Sequence, residues 1–408
     1  MSIEIFGGGF GNKGAELMLR TVTHRLREVD PDTRLAVEPT ADADYQRRAA
    51  LGLAHIHPSP TLMPGWSYRF LFRSALLRAA VLAPTRWCLP ANAERRLGLV
   101  PRGHCDAMLD ISGYAFGDGF SHLKAKYAAD RSRSYARRGR PVVYLPQMFG
   151  PFKKPAVRDA FRRCCEDATL IYARERPSYE AVRELIGDDP RLRIAPDLTI
   201  FSPKPAGLAF ERPESRYACI VPNERMQDQG RAEWGDTYLG RLEEAAVAMH
   251  ANNVRPVLVV HSGDRGDERM AQELHATIEQ RLGAGTIGRF THPDPFVLKA
   301  FIGGARFLIG SRFHSIVAAL SSGVPGLALG WAHKYEALVG DFSVPELQHR
   351  GSDAPADLAT QVEMLCDDDS NERLRGTIED ARERMRGDAE TMWCDVFAAL
   401  GRSARTEA

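Results

Sequence analysis

The chain has 408 residues, of which 44% are hydrophobic and 26% charged, with a formal net charge of +1. That length exceeds one ordinary domain and points to two soluble globular domains of about 200 residues each. The balanced charge excludes a general nucleic-acid binder, since no basic field is present to hold phosphates, and seven cysteines without CxxC spacing suggest neither a zinc site nor a disulfide framework.

At the amino end, MSIEIF enters a strand pattern (residues 3–6) without a basic, then apolar, leader, so a cytoplasmic location is expected. The loop Gly7–Gly14 follows, and a helix is predicted over 15–28. Within the loop, Gly9-Phe-Gly-Asn-Lys-Gly14 satisfies GxGxxG, and Glu38 ends the next strand (34–38) about where a ribose-binding acid would sit. A dinucleotide-binding reading is therefore open, although any sharp strand-to-helix turn recruits glycines. The loop is not a P-loop, because no Gly-Lys-Ser/Thr follows at the required spacing. The glycines indicate close backbone approach to a ligand or to another chain segment, with Gly11 and Asn12 as cleft candidates.

Residues 68–89 alternate leucine, alanine and phenylalanine with Arg69, Arg73, Arg78 and Arg86. No segment reaches the roughly 20 apolar residues of a bilayer span. This stretch reads either as a helix packed on the protein or as one lying on an anionic membrane surface, the inner face of the membrane being the place for it.

The third strand (107–111) runs on through a glycine turn to Asp118, whose carboxylate serves either a ligand or a turn or helix cap. The fourth (142–146) is expected to end in a turn carrying Gln147. The fifth (169–172) leads into Arg174, which faces either the site or Glu175 and Glu180, and Ser178 opens the next helix. A sixth strand covers 192–194. The proline-rich connector from Phe201 to Pro213 is the best domain boundary available.

Beyond it the alternation restarts, with strands at 217–221, 257–261, 286–289, 307–309 and 326–329. His261 terminates the second of these, for a ligand or for a core hydrogen bond. After the fourth comes Gly310-Ser-Arg-Phe-His-Ser315, where Ser311 is read as an N-cap and Gly323-Val-Pro325 as the helix stop. Arg312 and His314 then fall in the first turn, where backbone N–H groups and the helix dipole favour an anion. Basic side chains there disfavour the helix, so they ask for an anionic partner: a ligand phosphate or carboxylate, or a protein carboxylate. Lys334 begins a helix nearby. The tail is helical over 381–400. Strands alternating with helices predict an α/β fold of two Rossmann-like doubly wound domains facing a central cleft, with ligands at the carboxyl ends of the strands. The divisions expected are 1–205, 206–350 and a helical tail, 351–408.

These residues, in this order, resemble the polysaccharide pyruvyl transferase family. The resemblance spans about residues 3–340. It rests on the glycine loop with Asn12 and Gly14, the turn ending in Asp118, Gln147 with Gly150-Pro151, Arg174 with Ser178, Pro196-Asp197, and Arg312-Phe-His314 leading to Gly323-Val-Pro325 and Lys334. Where that family's opening usually has an Asp after Asn-x-Gly, this chain has Ala15 and then Glu16; Ser112-Gly-Tyr-Ala replaces the usual glycine run.

The resemblance implies a GT-B-like fold and a phosphoenolpyruvate-dependent transferase of polysaccharide or exopolysaccharide biosynthesis. It would make a cyclic pyruvate ketal on a saccharide acceptor, free or lipid-linked. The first domain would take the acceptor and the second the donor. Arg312, Arg174, Lys334 and Ser311 would bind the donor, with His314 as general acid and Asp118 beside the reacting centre; phosphoenolpyruvate is a co-substrate, and no cofactor or metal is implied. A sugar-nucleotide glycosyltransferase, an NAD-linked oxidoreductase and a non-catalytic saccharide-binding or assembly protein are the competing readings.

Overall fold

The computed structural model describes residues 1–39, 45–57, 97–101, 103–228, 230–262, 265–330 and 333–402, His333 by its backbone alone. The basic stretch 68–89 lies outside them. By contact density the chain forms two compact units: Met1–Phe10, Met18–Leu198 and Asp388–Ala408 in the first, Gly11–Leu17 and Thr199–Gly387 in the second.

The first unit is built on the strands β1 (Ser2–Phe6), β2 (Arg34–Val37), β3 (Leu53–His57), β4 (Leu99–Pro101), β5 (Ala107–Asp110), β6 (Tyr114–Phe116), β7 (Val142–Phe149), β8 (Leu170–Ala173) and β9 (Leu192–Ile194). They form one parallel sheet in the order β4-β3-β2-β1-β5-β7-β8-β9, with β6 beside β7. Strands β5, β7 and β8 are buried along their whole length, the pattern of a sheet covered on both faces. Strand β7 does not stop at Pro146. The ladder shifts register between Tyr144 and Gln147, which accommodates a residue with no N–H to donate, and the strand continues to Phe149. Gln147 is thus buried inside the sheet and not carried on a turn.

The second unit repeats the scheme with β10 (Tyr217–Val221), β11 (Arg255–Val260), β12 (Gly288–Thr291), β13 (Leu308–Gly310), β14 (Gly326–Leu329) and β15 (Gln348–His349). Its order is β12-β11-β10-β13-β14-β15, all parallel. Ile220, Leu258, Ile309 and Leu327 are fully buried at the centre of its core; each such side chain contributes roughly 1.5–3 kcal/mol. The strand order reverses between β10 and β13, and such a switch point opens a crevice beyond the carboxyl ends of the strands. The tail is two helices, Pro355–Cys366 and Asp368–Ala399. None of the described helices is long and apolar enough to cross a membrane.

Candidate active site

Beyond β13 the chain passes through Ser311 and Arg312 into α10 (Phe313–Leu320). (Helices are numbered in chain order among the described residues.) The residue in the cap position is Arg312, not Ser311, with extended backbone at φ −92° and ψ 113° and no side-chain cap. Ser311 is buried, and its polar atoms are held by the protein. Its N–H donates to the Val221 carbonyl at 3.1 Å, its Oγ accepts from the Tyr238 hydroxyl at 2.8 Å, and its carbonyl accepts from Asn223 and Tyr335 at 2.8 Å each. The expected capping role of Ser311 therefore gives way to that of a pin that sets the direction of the next residue.

That next residue, Arg312, meets Asp267 in a two-point pair: Nε to Oδ2 at 2.7 Å and Nη2 to Oδ1 at 2.6 Å. Asp267 is fully buried in the first turn of α8 (Arg265–Leu282) and also accepts the Glu224 N–H at 2.9 Å. A bidentate pair fixes the plane of the guanidinium as well as its position. Of the two partners considered for Arg312, a protein carboxylate is the one the structure shows.

The glycine loop supplies the other side. Asn12 Oδ1 accepts the Gly14 N–H at 2.8 Å and the Asn12 carbonyl accepts the Glu16 N–H at 2.9 Å, which opens α1 (Lys13–Val29). Asn12 also bridges Ser262, directly after His261. Gly14 faces the His314 imidazole, where a Cβ would stand 2.1 Å from Nδ1. Lys13 is buried; its ammonium pairs with Glu16 at 3.2 Å and donates to the Pro293 carbonyl. Glu16, one place beyond the usual acid of the family's opening, thus serves Lys13.

His261 sits at the end of β11, buried. Burial, then the positive charges of His314, Arg312 and Lys13, push its pKa down to about 3, so it is neutral at physiological pH. Lys334, in the first turn of α11 (His333–Asp341), lies over the Phe313 ring at 5.5 Å, between Arg312 and His314 in sequence. Lys13, Arg312, His314 and Lys334 therefore form one basic group around neutral His261 within the second unit, at the carboxyl ends of β11 and β13. Gly11 and Asn12 are exposed beside it. Lys13 and Asp267 were not among the residues singled out from the sequence; the lysine inside a glycine loop was the available signal.

The first-unit candidates meet other fates. Asp118 is half-buried, and its two carboxylate oxygens accept the N–H groups of Lys153 and Lys154 at 2.8 and 2.9 Å, so it anchors the chain ahead of α4 (Pro155–Asp167). This is the role of a turn carboxylate, since the helix itself has Lys154 at its cap and no side-chain cap bond. Arg174 is buried and paired with Asp197 at 2.9 Å and Glu175 at 3.3 Å; Ser178 bonds Glu175 and takes the Phe149 N–H at 2.8 Å. Arg174, expected as a second anion clamp, is thus held by two of the protein's own acids, as Arg312 is by one. Gln147 donates to the buried Asp110 at 3.2 Å, and burial pushes the Asp110 carboxyl up to about 6. Glu38, the ribose-binding candidate, accepts from Tyr127 at 2.6 Å and from Arg131 at 3.0 Å. The dinucleotide reading loses its acid, and Gly14 already has an imidazole against it.

Two all-parallel, doubly wound units define a protein of the GT-B class. Solved structures agree: the neighbours share the fold over nearly the whole chain at low identity. Among them are UDP-GlcNAc 2-epimerase from Neisseria meningitidis bound to UDP-GlcNAc (TM-score 0.55, 10% identity, 96% of this chain and 100% of that one). Anabaena Alr3699/HepE in complex with UDP-glucose is another (0.57, 15%, 98% and 99%), and Phytolacca americana UGT2 with UDP-2-fluoro-glucose and pterostilbene a third (0.56, 12%, 98% and 100%). No curated protein matches in sequence. The family model for polysaccharide pyruvyl transferase matches residues 12–333, and the chain belongs to that family.

Proposed function

We propose that this protein transfers the three-carbon unit of phosphoenolpyruvate to two hydroxyls of a sugar, forming a pyruvate ketal on a polysaccharide or on its free or lipid-linked precursor. The observation that carries the reading is the basic group of Lys13, Arg312, His314 and Lys334 in one unit, with neutral His261 among them. Phosphoenolpyruvate bears a phosphate and a carboxylate on a three-carbon frame, and clustered cationic donors suit both. Arg312, its plane set by Asp267, would meet one anionic group, with Lys334 adding charge.

In this reading His314 protonates the methylene carbon as general acid while a sugar hydroxyl attacks the adjacent carbon. Phosphate then leaves with the electron pair of its C–O bond. The second hydroxyl attacks the same carbon and closes the ring; of the two hydroxyl protons, one restores His314 and the other leaves on the phosphate. The products are the ketal and inorganic phosphate, and no cofactor takes part.

Thermal stabilisation tests the reading, with phosphoenolpyruvate, NAD, UDP-glucose and GDP-mannose compared on the wild type and Arg312→Ala. A ligand at 100 times its dissociation constant should stabilise by about 2.7 kcal/mol. Stabilisation by phosphoenolpyruvate, lost in the variant, supports pyruvyl transfer. A response to a sugar nucleotide alone would overturn it and favour a glycosyltransferase, in keeping with the UDP-sugars bound by structures of this fold.

A further inference from the structure

The second unit carries another basic concavity, at the opposite end of its sheet from Arg312 and His314. It opens beside Tyr217, which starts β10, and Arg306, which precedes β13, and has a volume of about 390 Å³. Arg212, Arg216, Arg306 and Arg375 line it against a single acid, Glu214. That size falls within the range of small-ligand pockets.

The partners of these arginines leave positive charge in excess. Arg216 and Arg306 both bond the same oxygen of Asp368, at 2.7 and 2.8 Å, and that carboxylate is 74% exposed. Arg375 is half-buried, and its bonds go to neutral acceptors: Asn371 Oδ1 at 2.8 Å and the carbonyls of Gly323, Ala305 and Arg306 at 3.1, 2.9 and 2.8 Å. Burial, then the charge of Arg306, pulls its pKa down. Arg212 bonds the Ala300 carbonyl at 3.1 Å and lies against Gly304, where a Cβ would come within 2.8 Å of its Nε. Any side chain at Gly304 would lift Arg212 from the wall. Only Arg375 is both part-buried and without a carboxylate, but four guanidinium groups face just Glu214 and the shared, exposed Asp368, and a bound anion offsets that excess of positive charge.

We infer that this concavity binds a small soluble polyanion of the phosphate-ester or diphosphate class, held by the guanidinium groups of Arg212 and Arg216, with the charges of Arg306, whose Nε and Nη2 already bond the Leu365 and Cys366 carbonyls, and of Arg375 behind them. It is a site separate from the donor group of the proposed reaction and does not depend on it. Phosphates present flat, multiply charged faces that guanidinium groups match two bonds at a time.

Calorimetric titration with inorganic pyrophosphate, on an Arg312→Gln background, isolates this site from the donor group. Saturable binding at one site is expected, weakened about tenfold or more by adding Arg212→Gln and Arg216→Gln, each of which removes a charged hydrogen-bond donor. Both side chains are exposed, so the variants should fold. Arg306→Gln should weaken binding as well. No binding on the Arg312→Gln background, or binding that survives the Arg212→Gln/Arg216→Gln pair unchanged, overturns the assignment. Either failure would leave phosphoenolpyruvate stabilisation through Arg312 intact, so the two proposals fall separately.

Discussion

Gly14 lies flush against the imidazole of His314: a Cβ placed on Gly14 would stand 2.1 Å from Nδ1 and 2.2 Å from Cγ. Gly14→Ala must therefore displace the ring or the start of the first helix. A misplacement of about 1 Å costs on the order of 10²-fold in rate, so kcat should fall by roughly that factor with the fold retained by circular dichroism. An unchanged kcat would mean that the position of His314 is not critical.

If His314 is the proton donor, His314→Gln removes a general acid and should lower kcat by about 10²–10⁴-fold. Donor binding, read by phosphoenolpyruvate stabilisation, should persist. Near wild-type turnover in this variant would remove His314 from the chemistry.

Asp267→Ala takes away the two-point partner of Arg312, which is 14% exposed. Leaving one member of a buried ion pair alone costs about 3–5 kcal/mol. The variant should melt earlier and show a raised KM for phosphoenolpyruvate, because the guanidinium loses its fixed plane. An unaltered melting temperature would show that Arg312 finds another acceptor at no cost.

Asp118 anchors the N–H groups of Lys153 and Lys154. As an anchor it predicts less than a tenfold loss of kcat in Asp118→Asn and a stability cost of about 1–2 kcal/mol in Asp118→Ala, the worth of one or two hydrogen bonds. A loss of about 10³-fold in Asp118→Asn, with stability intact, would restore the carboxylate to the reaction.

Two buried groups pull the pH dependence of stability in opposite directions. His261 is held at about 3 from an ordinary 6.5, by burial and then by the neighbouring cations. Between those values the unfolded chain binds the extra proton, so this contribution is whole above 6.5 and is lost as the pH falls. Asp110, raised by burial from 3.8 to about 6, does the reverse: its contribution is whole below 3.8 and lost as the pH rises through 6. Melting curves between about pH 4 and 7 should show Asp110→Asn gaining on the wild type as the pH rises, and His261→Gln gaining as it falls. Profiles parallel to the wild type would show that neither group carries the shift.

Much of this was legible in the residues. Apolar runs of strand length separated by helical periods mark buried parallel strands, and β1, β8, β10 and β14 fall within a residue or so of where the pattern puts them. Arg312, His314 and Lys334 were legible because strand, turn and helix are local events that put those side chains at one sheet edge. The end of β7 was not, because a proline normally breaks a ladder and only the neighbouring strands reveal the shift that admits it. The short strands β3 and β4 carry too little periodicity to stand out.

What the order of amino acids determined alone was the class of fold, the family and the placing of Arg312 and His314 at one strand-to-helix turn, since these depend on neighbours a few residues apart. Which charges are already answered was decided only by tertiary structure. Asp267 lies 45 residues from Arg312, Asp197 lies 23 from Arg174, and Gly14 meets a histidine 300 residues further along the chain. Pairings of that kind are set by strand order and crossover packing, and a side chain's local sequence carries no record of the partner that folding brings to it.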